Sequence, residues 1–258
     1  MENKFRKVPA VEKCFKIIET LAKAQTPLGI TEISKRLGLN KSTVYNITYT
    51  LSELRVLESL PSGKFALGTL FYSLASMSAR GSNMIHKVHP YLDLIKEKTG
   101  LSVFLGVRSG SQAVLIDKVE ADYGIKLSSE IGMVMPPLAG AGIKAMLSQL
   151  PEEKIDEVLA KVEFKRYTEK SIVDREKYKE EIRRVKREGV AYDFEEYIEG
   201  MVGLAVPVAS GSRTVQSAIW VVGLKSQLPE SKITDVVNLL ISTAKEIDEQ
   251  NSQKAQKE

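Results

Sequence analysis

Four side chains with hydrogen-bonding groups recur at helical spacing around residue 45, where they could read the edges of nucleic-acid bases. At ~100° per residue they centre on one face of a helix. They are Ser42, Tyr45, Asn46 and Tyr49, and Lys41 precedes them. A merely solvated helix face usually carries Glu and Lys, whereas this face carries hydroxyl and amide groups. Such groups suit base edges and phosphates in a major groove, so the spacing predicts a reading helix.

Two short helices separated by a tight turn must hold that face. Thr31 is predicted to cap the first helix, which ends at Gly38. The second helix is predicted to turn its apolar residues toward a core. These residues are Val44, Ile47, Leu51 and Leu54. The segment therefore has the helix-turn-helix pattern, with the second helix as the reader.

Elements on both sides complete a small domain. A helix is predicted before it, with one apolar stripe. The stripe contains Val11, Cys14, Phe15, Ile18, Leu21 and Ala22. After it, apolar runs over 56–60 and 64–67 flank Pro61-Ser62-Gly63 and predict a β-hairpin, a wing with Lys64 near its tip. Lys64 could reach a phosphate or the minor groove, although helix-turn-helix geometry also occurs in proteins that bind no nucleic acid.

The distribution of charge favours a polyanionic partner for this first region. The chain of 258 residues has 37 Lys and Arg against 33 Asp and Glu, a net charge of +4. Residues 1–80 contain 12 basic and 6 acidic side chains, whereas 81–258 contain 25 and 27. The first third therefore carries a net +6 and the remainder −2. A basic domain on a near-neutral body is typical of nucleic-acid binding.

Composition argues against several other classes of protein. Hydrophobic residues make up 43% and charged residues 27%, as in folded globular chains. The single cysteine, Cys14, excludes an intrachain disulfide and a cysteine-based metal cluster, favours a cytoplasmic location, and is predicted to be a small buried hydrophobe. No apolar run approaches the ~20 residues of a membrane span, and a signal peptide is not expected. His86 and His89 have no third ligand nearby, so surface or capping histidines are predicted.

The rest of the chain alternates between helix and strand patterns and predicts an α+β domain with a mixed, largely antiparallel sheet. A linker helix is predicted over 70–83, a domain over 84–250 and a polar tail over 251–258. Strands are predicted over 101–107, 113–120, 124–129, 190–193, 201–208 and 214–225, with Gly211 turning the last pair. Helices are predicted over 86–98, 144–149 and 174–188, and after Pro151 and Pro229, with a loop over 136–142.

Blocks along roughly residues 8–250 resemble the IclR family of bacterial transcriptional regulators. The N-terminal blocks are Ile30–Ile33, Leu37–Leu39, Lys41–Val44 and Phe65–Gly68. The later blocks are Val119–Glu120, Met135–Pro136, Lys144–Ala145, Glu195–Tyr197, Glu199–Gly200 and Pro207–Val208. The resemblance implies a winged helix-turn-helix domain over 1–69 and a GAF-like effector-binding domain. It implies DNA contacts from Thr31, Lys41, Ser42, Thr43, Tyr45, Asn46, Tyr49 and Lys64. The family commonly has an arginine where this chain has Asn46, so relatives do not supply its operator sequence.

The same resemblance places an effector pocket on a loop of small residues and a late acidic strand. It implies contacts from Leu138, Ala139, Gly140, Ala141, Gly142, Asp193, Met201, Gly203 and Leu204. Backbone N–H groups of the loop could approach a ligand, and Asp193 could accept a hydrogen bond from it. Many relatives have histidine at Leu138 and cysteine or serine at Gly203, so a larger or more apolar acid than glyoxylate is expected. Plain turn chemistry at Gly140 and Gly142, and an ordinary strand-end carboxylate at Asp193, account for these residues equally well.

These expectations combine into a ligand-responsive regulator, a repressor by default, of a catabolic operon. It would bind double-stranded DNA as a homodimer or tetramer and sense a small carboxylate, without a cofactor, a metal or catalytic residues. An enzyme acting on a small acid is the first alternative, disfavoured because the sequence lacks a plausible Cys/His pair, a P-loop and a Gly-x-Ser-x-Gly motif. An architectural DNA binder with an inert C-terminal domain is the second.

Overall fold

The computed structural model describes residues 6–24, 26–71, 73–74, 84–122, 129–209 and 215–255. The chain divides into two compact units, residues 1–81 and 82–258. Residues 70, 71, 73 and 74 are helical. The rest of the predicted linker helix, the strand predicted over 124–129 apart from its last residue, the turn at Gly211 and the last three residues of the tail lie outside the described residues.

In the described residues 6–67 of the first unit, apart from residue 25, three helices pack against a small antiparallel sheet. Its elements are α1 (Pro9–Ala24), β1 (Leu28–Gly29), α2 (Ile30–Leu37), α3 (Lys41–Glu53), β2 (Leu57–Ser59) and β3 (Lys64–Leu67). The strand order is β1-β3-β2, and the hairpin pairs Leu57 with Leu67. The core consists of Ile17, Leu21, Leu28, Ile33, Val44, Leu51, Leu57 and Phe65. This arrangement is a winged helix-turn-helix.

The start of α2 differs from the prediction. Gly29, not Thr31, caps the helix, and its N–H donates to the Glu32 carboxylate at 2.8 Å. Since β1 leads straight into α2, the helix begins at Ile30 and Thr31 lies inside its first turn. The end of α2 is as expected, because Gly38 adopts φ 64°, which a glycine tolerates without strain.

The apolar stripe of α1 is only partly covered. Ile17 and Leu21 are buried, whereas Val11 and Phe15 are 51% and 60% exposed and Ala22 is also exposed. At ~100° per residue the apolar side chains spread over about 160° of the helix, and the core covers only the side centred near Ile17. The predicted stripe therefore omitted its most buried member and included an exposed edge.

The described residues of the second unit form a five-stranded antiparallel sheet with helices on both faces. It contains α4 (Met84–Thr99), β4 (Ser102–Ser109), β5 (Gln112–Val119), α5 (Gly140–Leu147), α6 (Glu152–Leu159), α7 (Arg175–Glu188), β6 (Ala191–Phe194), β7 (Met201–Ala209), β8 (Gln216–Leu224) and α8 (Glu230–Ala255). The strand order is β5-β4-β8-β7-β6, and every described pair is antiparallel. Helices α4 and α8 cover one face, and α5, α6 and α7 cover the other. This is the predicted α+β class.

Helix α5 begins at Gly140, inside the segment predicted as a loop over 136–142. Gly140 has φ 81°, and Ala139 is extended and caps the helix. Residues 141–147 are all buried, Lys144 among them, so α5 is covered around its whole circumference and lacks the amphipathic period by which a helix start is recognised. The first turn of this helix is thus the small-residue segment itself.

The two histidines have different surroundings. His86 is exposed, whereas Nδ1 of His89 lies 2.7 Å from Oδ2 of Asp117. Asp117 is a buried residue of β5, so this pair joins α4 to the edge strand of the sheet. Among the described residues, no group of three His, Cys, Asp or Glu could hold a metal ion. None of the described helices is long and apolar enough to span a bilayer.

Candidate functional site

The predicted reading face of α3 is open to solvent. Lys41, Ser42, Tyr45, Asn46 and Tyr49 are exposed, with Tyr45 at 49% and Tyr49 at 44%. On the opposite side of α3, Val44 and Thr48 are completely buried and Leu51 is nearly so. The helix is therefore anchored from behind, and its hydroxyl, amide and ammonium groups point away from the core of the unit.

Aromatic contacts hold the two tyrosines in place. Their ring centres lie 4.4 Å apart, and the Tyr49 ring packs edge-on against Phe65 of β3 at 5.6 Å. Phe65 is a core residue, so it connects the reading face to the sheet of the wing. Fixed rings with polar tips present hydrogen-bonding groups at a low entropy cost on binding.

The buried side of α3 differs from the prediction at two residues, Thr48 and Leu54. Thr48 is buried because its hydroxyl donates to the Val44 carbonyl at 2.9 Å, which satisfies the only polar group it brings into the core. Leu54 is 59% exposed, not buried as predicted. The helix ends at Glu53 and the chain turns at Arg55, with φ 59°, so helical periodicity no longer applies to Leu54.

The remaining predicted DNA contacts surround this face. Lys64 is exposed at the start of β3, and Thr31 is exposed on α2. Thr43 is half-buried beside Ser42. Lys35 and Arg36 in the last turn of α2 are also exposed. Cationic and hydroxyl groups around a protruding helix are suited to phosphate contacts that set its register on a duplex.

The second unit contains a cavity of about 300 Å³ between the sheet and α5. It is lined by Phe104, Ala113, Leu115, Ser129, Met133, Met135, Ala139, Gly140, Ala141, Gly142, Ile143, Asp193, Tyr197, Ile198, Met201, Val202, Gly203, Trp220 and Val222. Seven of the residues implied by the family resemblance are among them, namely Ala139, Gly140, Ala141, Gly142, Asp193, Met201 and Gly203. The volume and the mainly apolar wall fit a small organic ligand.

Two stacked aromatic rings form one wall of the cavity. Phe104 of β4 and Trp220 of β8 are cross-strand partners, and their ring centres lie 5.8 Å apart. Glycines make room for the indole. A Cβ on Gly142 would lie 3.0 Å from the Trp220 ring, and a Cβ on Gly106 would lie 2.6 Å from it. Here glycine is required for close approach, beyond any role in turning the chain.

Asp193 supplies a buried carboxylate to this apolar cavity. It is 8% exposed, and its Oδ1 accepts the Glu196 N–H at 2.7 Å. Burial raises the pKa of Asp193, while backbone hydrogen bonds and Lys144 act in the opposite direction. Its Oδ2 lies 3.7 Å from the position of a Cβ on Gly140, so it faces the first turn of α5. The cavity thus combines a strong acceptor with the N–H donors at a helix start.

Two of the implied effector contacts do not line this cavity. Leu204 packs into the hydrophobic core on the opposite face of the sheet, because successive side chains of β7 alternate between faces and Gly203 takes the cavity side. Leu138 has φ 57° and lines a separate small recess with Phe164 and Tyr178. The turn that positions Ala139 as the cap of α5 directs the Leu138 side chain away from Asp193.

Both units match models of known protein domains. Residues 10–61 match the IclR helix-turn-helix domain, and residues 77–249 match the C-terminal domain of the bacterial transcriptional regulator IclR. The chain belongs to the IclR family of bacterial transcriptional regulators. Its two units are therefore the family's DNA-binding helix-turn-helix domain and its effector-binding domain.

Relatives in the IclR family cover nearly the whole chain. The transcriptional repressor IclR of Escherichia coli is 26% identical over 243 residues, which is 93% of this chain and 89% of that protein. The IclR of Thermotoga maritima has a TM-score of 0.69 at 25% identity, covering 94% of this chain and 98% of its own. An IclR homolog from Microbacterium hydrocarbonoxydans, crystallised with 4-hydroxybenzoate, has a TM-score of 0.78 at 19% identity, covering 95% and 99%.

The part of the cavity that sequence reasoning missed is its aromatic and methionine wall. Phe104, Trp220, Met133, Met135 and Tyr197 were not among the expected contacts. Trp220 is the only tryptophan of the chain, which was the one available signal. Its partner across the strands is 116 positions away, and no spacing rule connects residues so far apart.

Proposed function

We propose that this IclR-family chain represses a catabolic operon. A small, largely apolar organic acid would release the chain from its operator or change the way it binds there. The observation that carries the DNA half is the open polar face of α3 beside Lys64. Residues 1–69 would bind the operator, residues 70–83 would connect the two domains, and residues 84–250 would bind the effector. Since its partner would be chromosomal DNA, it would act in the cytoplasm.

The cavity favours a ligand with a flat apolar ring and a hydrogen-bond donor. Phe104 and Trp220 offer a stacking wall, Asp193 offers an acceptor, and the first turn of α5 offers N–H donors to a carboxylate. A hydroxylated aromatic acid combines these features. The complex of the Microbacterium homolog with 4-hydroxybenzoate supports this class of ligand. The ligand would act as an effector and leave unchanged.

The exposed apolar surface of the first unit supports self-association of the chain. Val8, Val11 and Phe15 are more than half exposed and lie on or beside α1. We propose that apolar contacts of this kind join two chains, which would place two reading helices on half-sites about 34–36 Å apart, or a multiple of that. Sedimentation of the full chain distinguishes a homodimer from a homotetramer.

Selection of genomic fragments by the purified full chain tests the DNA half. We expect one discrete, two-fold symmetric sequence, with the neighbouring genes indicating the pathway of the effector. The double variant Asn46→Ala, Tyr49→Ala should lose that enrichment while keeping weak binding to any DNA. Recovery of random fragments by the unaltered chain would contradict a sequence-reading function.

Thermal stabilisation by a panel of aromatic and aliphatic acids tests the ligand half. A compound that binds the folded but not the unfolded chain raises the free energy of unfolding by RT ln(1 + [L]/Kd). We expect 4-hydroxybenzoate-like acids to exceed aliphatic acids of equal charge. Gly203→Leu should abolish the shift, because a Cβ there has only ordinary contacts and the added side chain would fill the cavity. Ala160→Leu adds three apolar carbons, against four in Gly203→Leu, at an exposed site and serves as control.

A further inference from the structure

An ion pair between a fully buried lysine and a partly buried glutamate lies behind the cavity wall, outside the residues that line the cavity. Lys144 of α5 has no exposed surface, and its Nζ lies 2.6 Å from both carboxylate oxygens of Glu196. Nζ also donates to the Tyr192 carbonyl at 2.9 Å and lies 5.9 Å from the centre of the Tyr178 ring. A fully buried lysine is tolerated when its charge is paired and hydrogen-bonded, so this site specifies where Glu196 must lie.

Glu196 belongs to the segment that closes one side of the cavity, residues 193–200, called here the wall segment. Asp193, Tyr197 and Ile198 of this segment line the cavity. Glu195 turns the chain with φ 65°, and the Glu196 N–H donates to Asp193. The position of the Glu196 backbone therefore decides where the Asp193 carboxylate and the Tyr197 ring lie.

Other groups hold the wall segment from its outer side. Thr168 Oγ1 donates to the Glu195 carbonyl at 2.6 Å, and Ser171 Oγ donates to the Glu196 carbonyl at 2.7 Å. Lys170 and Lys225 pair with the Glu195 carboxylate, but both lysine side chains are more than half exposed, so solvent weakens these pairs. Lys144 differs because it comes from α5, whose first turn forms the facing part of the cavity.

We propose that Lys144 and Glu196 are a positioning pair that holds the wall segment against α5 and so sets the separation between Asp193 and the first turn of α5. Neither side chain would touch the ligand. The role in sensing rests on the proposed effector function of the cavity, whereas the positioning role does not. One buried contact would thereby fix the acceptor and the N–H donors of the site relative to each other.

The single tryptophan makes the proposal testable without any ligand. Trp220 lines the cavity and is 7% exposed, so quenching of its fluorescence by acrylamide reports opening of the cavity. In the full chain we expect Lys144→Met to increase quenching and to speed amide exchange over 195–200 by about 10-fold or more, because the Glu196 carboxylate, only 18% exposed, would lose its partner and favour local opening toward water. Glu196→Gln keeps the shape but removes the charge pairing, and it should show the same change with smaller size.

Lys179→Met is the matched control. Lys179 is 8% exposed and pairs with Asp156 and Glu152, away from the cavity. We expect it to lower the melting temperature while leaving Trp220 quenching and exchange over 195–200 unchanged. If Lys144→Met and Glu196→Gln also lower only the melting temperature, the pair is merely stabilising and the proposal is overturned. Should Lys144→Met fail to fold, Glu196→Gln decides alone. If neither the original chain nor any variant binds an effector, the proposed function is rejected. Trp220 quenching and amide exchange over 195–200 still test the positioning role in that case.

Discussion

The reading face of α3 and the cavity of the second unit are built in opposite ways. Lys41, Ser42, Tyr45, Asn46 and Tyr49 all come from one helix and are exposed together. The cavity collects residues from five strands, one helix and two connecting segments, with Phe104 and Asp193 separated by 89 positions. One site depends on the local period of a helix, and the other depends on sheet register. A substitution on the face of α3 should therefore affect only the contact of its own side chain. A substitution at the cavity should also displace neighbouring side chains.

The largest effect is expected where charge alone supplies affinity. Lys41→Glu with Lys64→Glu should weaken binding to every DNA sequence, on the order of 10³-fold at low salt, and should flatten the salt dependence by about two phosphate contacts per chain. Titrations of specific and random duplexes at several salt concentrations measure both quantities.

The control for this charge reversal is Lys154→Glu with Lys161→Glu, which makes the same change in net charge on exposed residues of the second unit. It should leave affinity and salt slope near their original values. Equal losses in both double variants would mean that overall charge, and not the face of α3, attracts the DNA.

Asp193→Asn should have the next largest effect, and it has opposite signs for stability and binding. Loss of a charged acceptor should weaken a hydroxylated ligand by about 10- to 100-fold. Because burial raises the pKa of Asp193 above 3.8, the folded state binds the proton more tightly than the unfolded chain. The free energy of unfolding therefore falls as pH rises from 3.8 through the raised pKa of Asp193. Asp193→Asn should consequently melt at a higher temperature than the original chain at neutral pH, but not below pH 3.8.

Asp248→Asn provides the comparison for this variant, since burial also raises the pKa of Asp248, which is not among the residues lining the cavity. Its ligand affinity should stay unchanged. A melting temperature of Asp193→Asn that is equal to or below that of the original chain at pH 7 would contradict the assigned burial of the carboxylate.

Asn46→Ala should change sequence preference and leave binding to random DNA nearly constant. A lost side-chain contact to a base edge costs about 1–3 kcal/mol, or about 5- to 150-fold at one base pair of the operator. Selection from a randomised operator library measures this preference directly. If the variant instead weakened every sequence equally, Asn46 would contact phosphate and not a base.

The sequence predicted the winged helix-turn-helix and the exposed quartet because both follow from spacings within a few turns of chain. It placed Ala139–Gly142 and Asp193 near one another only through family resemblance. It misplaced Leu204, since one residue of register reverses the face of a strand. Lys144 and Glu196 both lie in blocks that resemble the family, but no spacing rule indicates that they pair, because they are 52 positions apart.

The smallest effect tests the same contrast at a second long-range contact, between His89 and Asp117. The hydrogen bond to Asp117, with the nearby charges of Asp117 and Asp93, raises the pKa of His89 above 6.5. A raised pKa stabilises the fold below pH 6.5, and this stabilisation is lost as pH rises through the higher value. The His89 side chain is 46% exposed, so solvent screens the interaction and the change in melting temperature should be small.

His89→Gln should remove that slope above pH 6.5 while His86→Gln, at an exposed position of the same helix, should keep it. Melting curves of the two variants and the original chain between pH 6 and 8 measure the difference. An identical slope in all three would mean that α4 is held to β5 by its apolar residues alone. In that case the long-range contacts that matter in this unit would be the apolar core and the pair at Lys144, where water screens the charges much less than at His89.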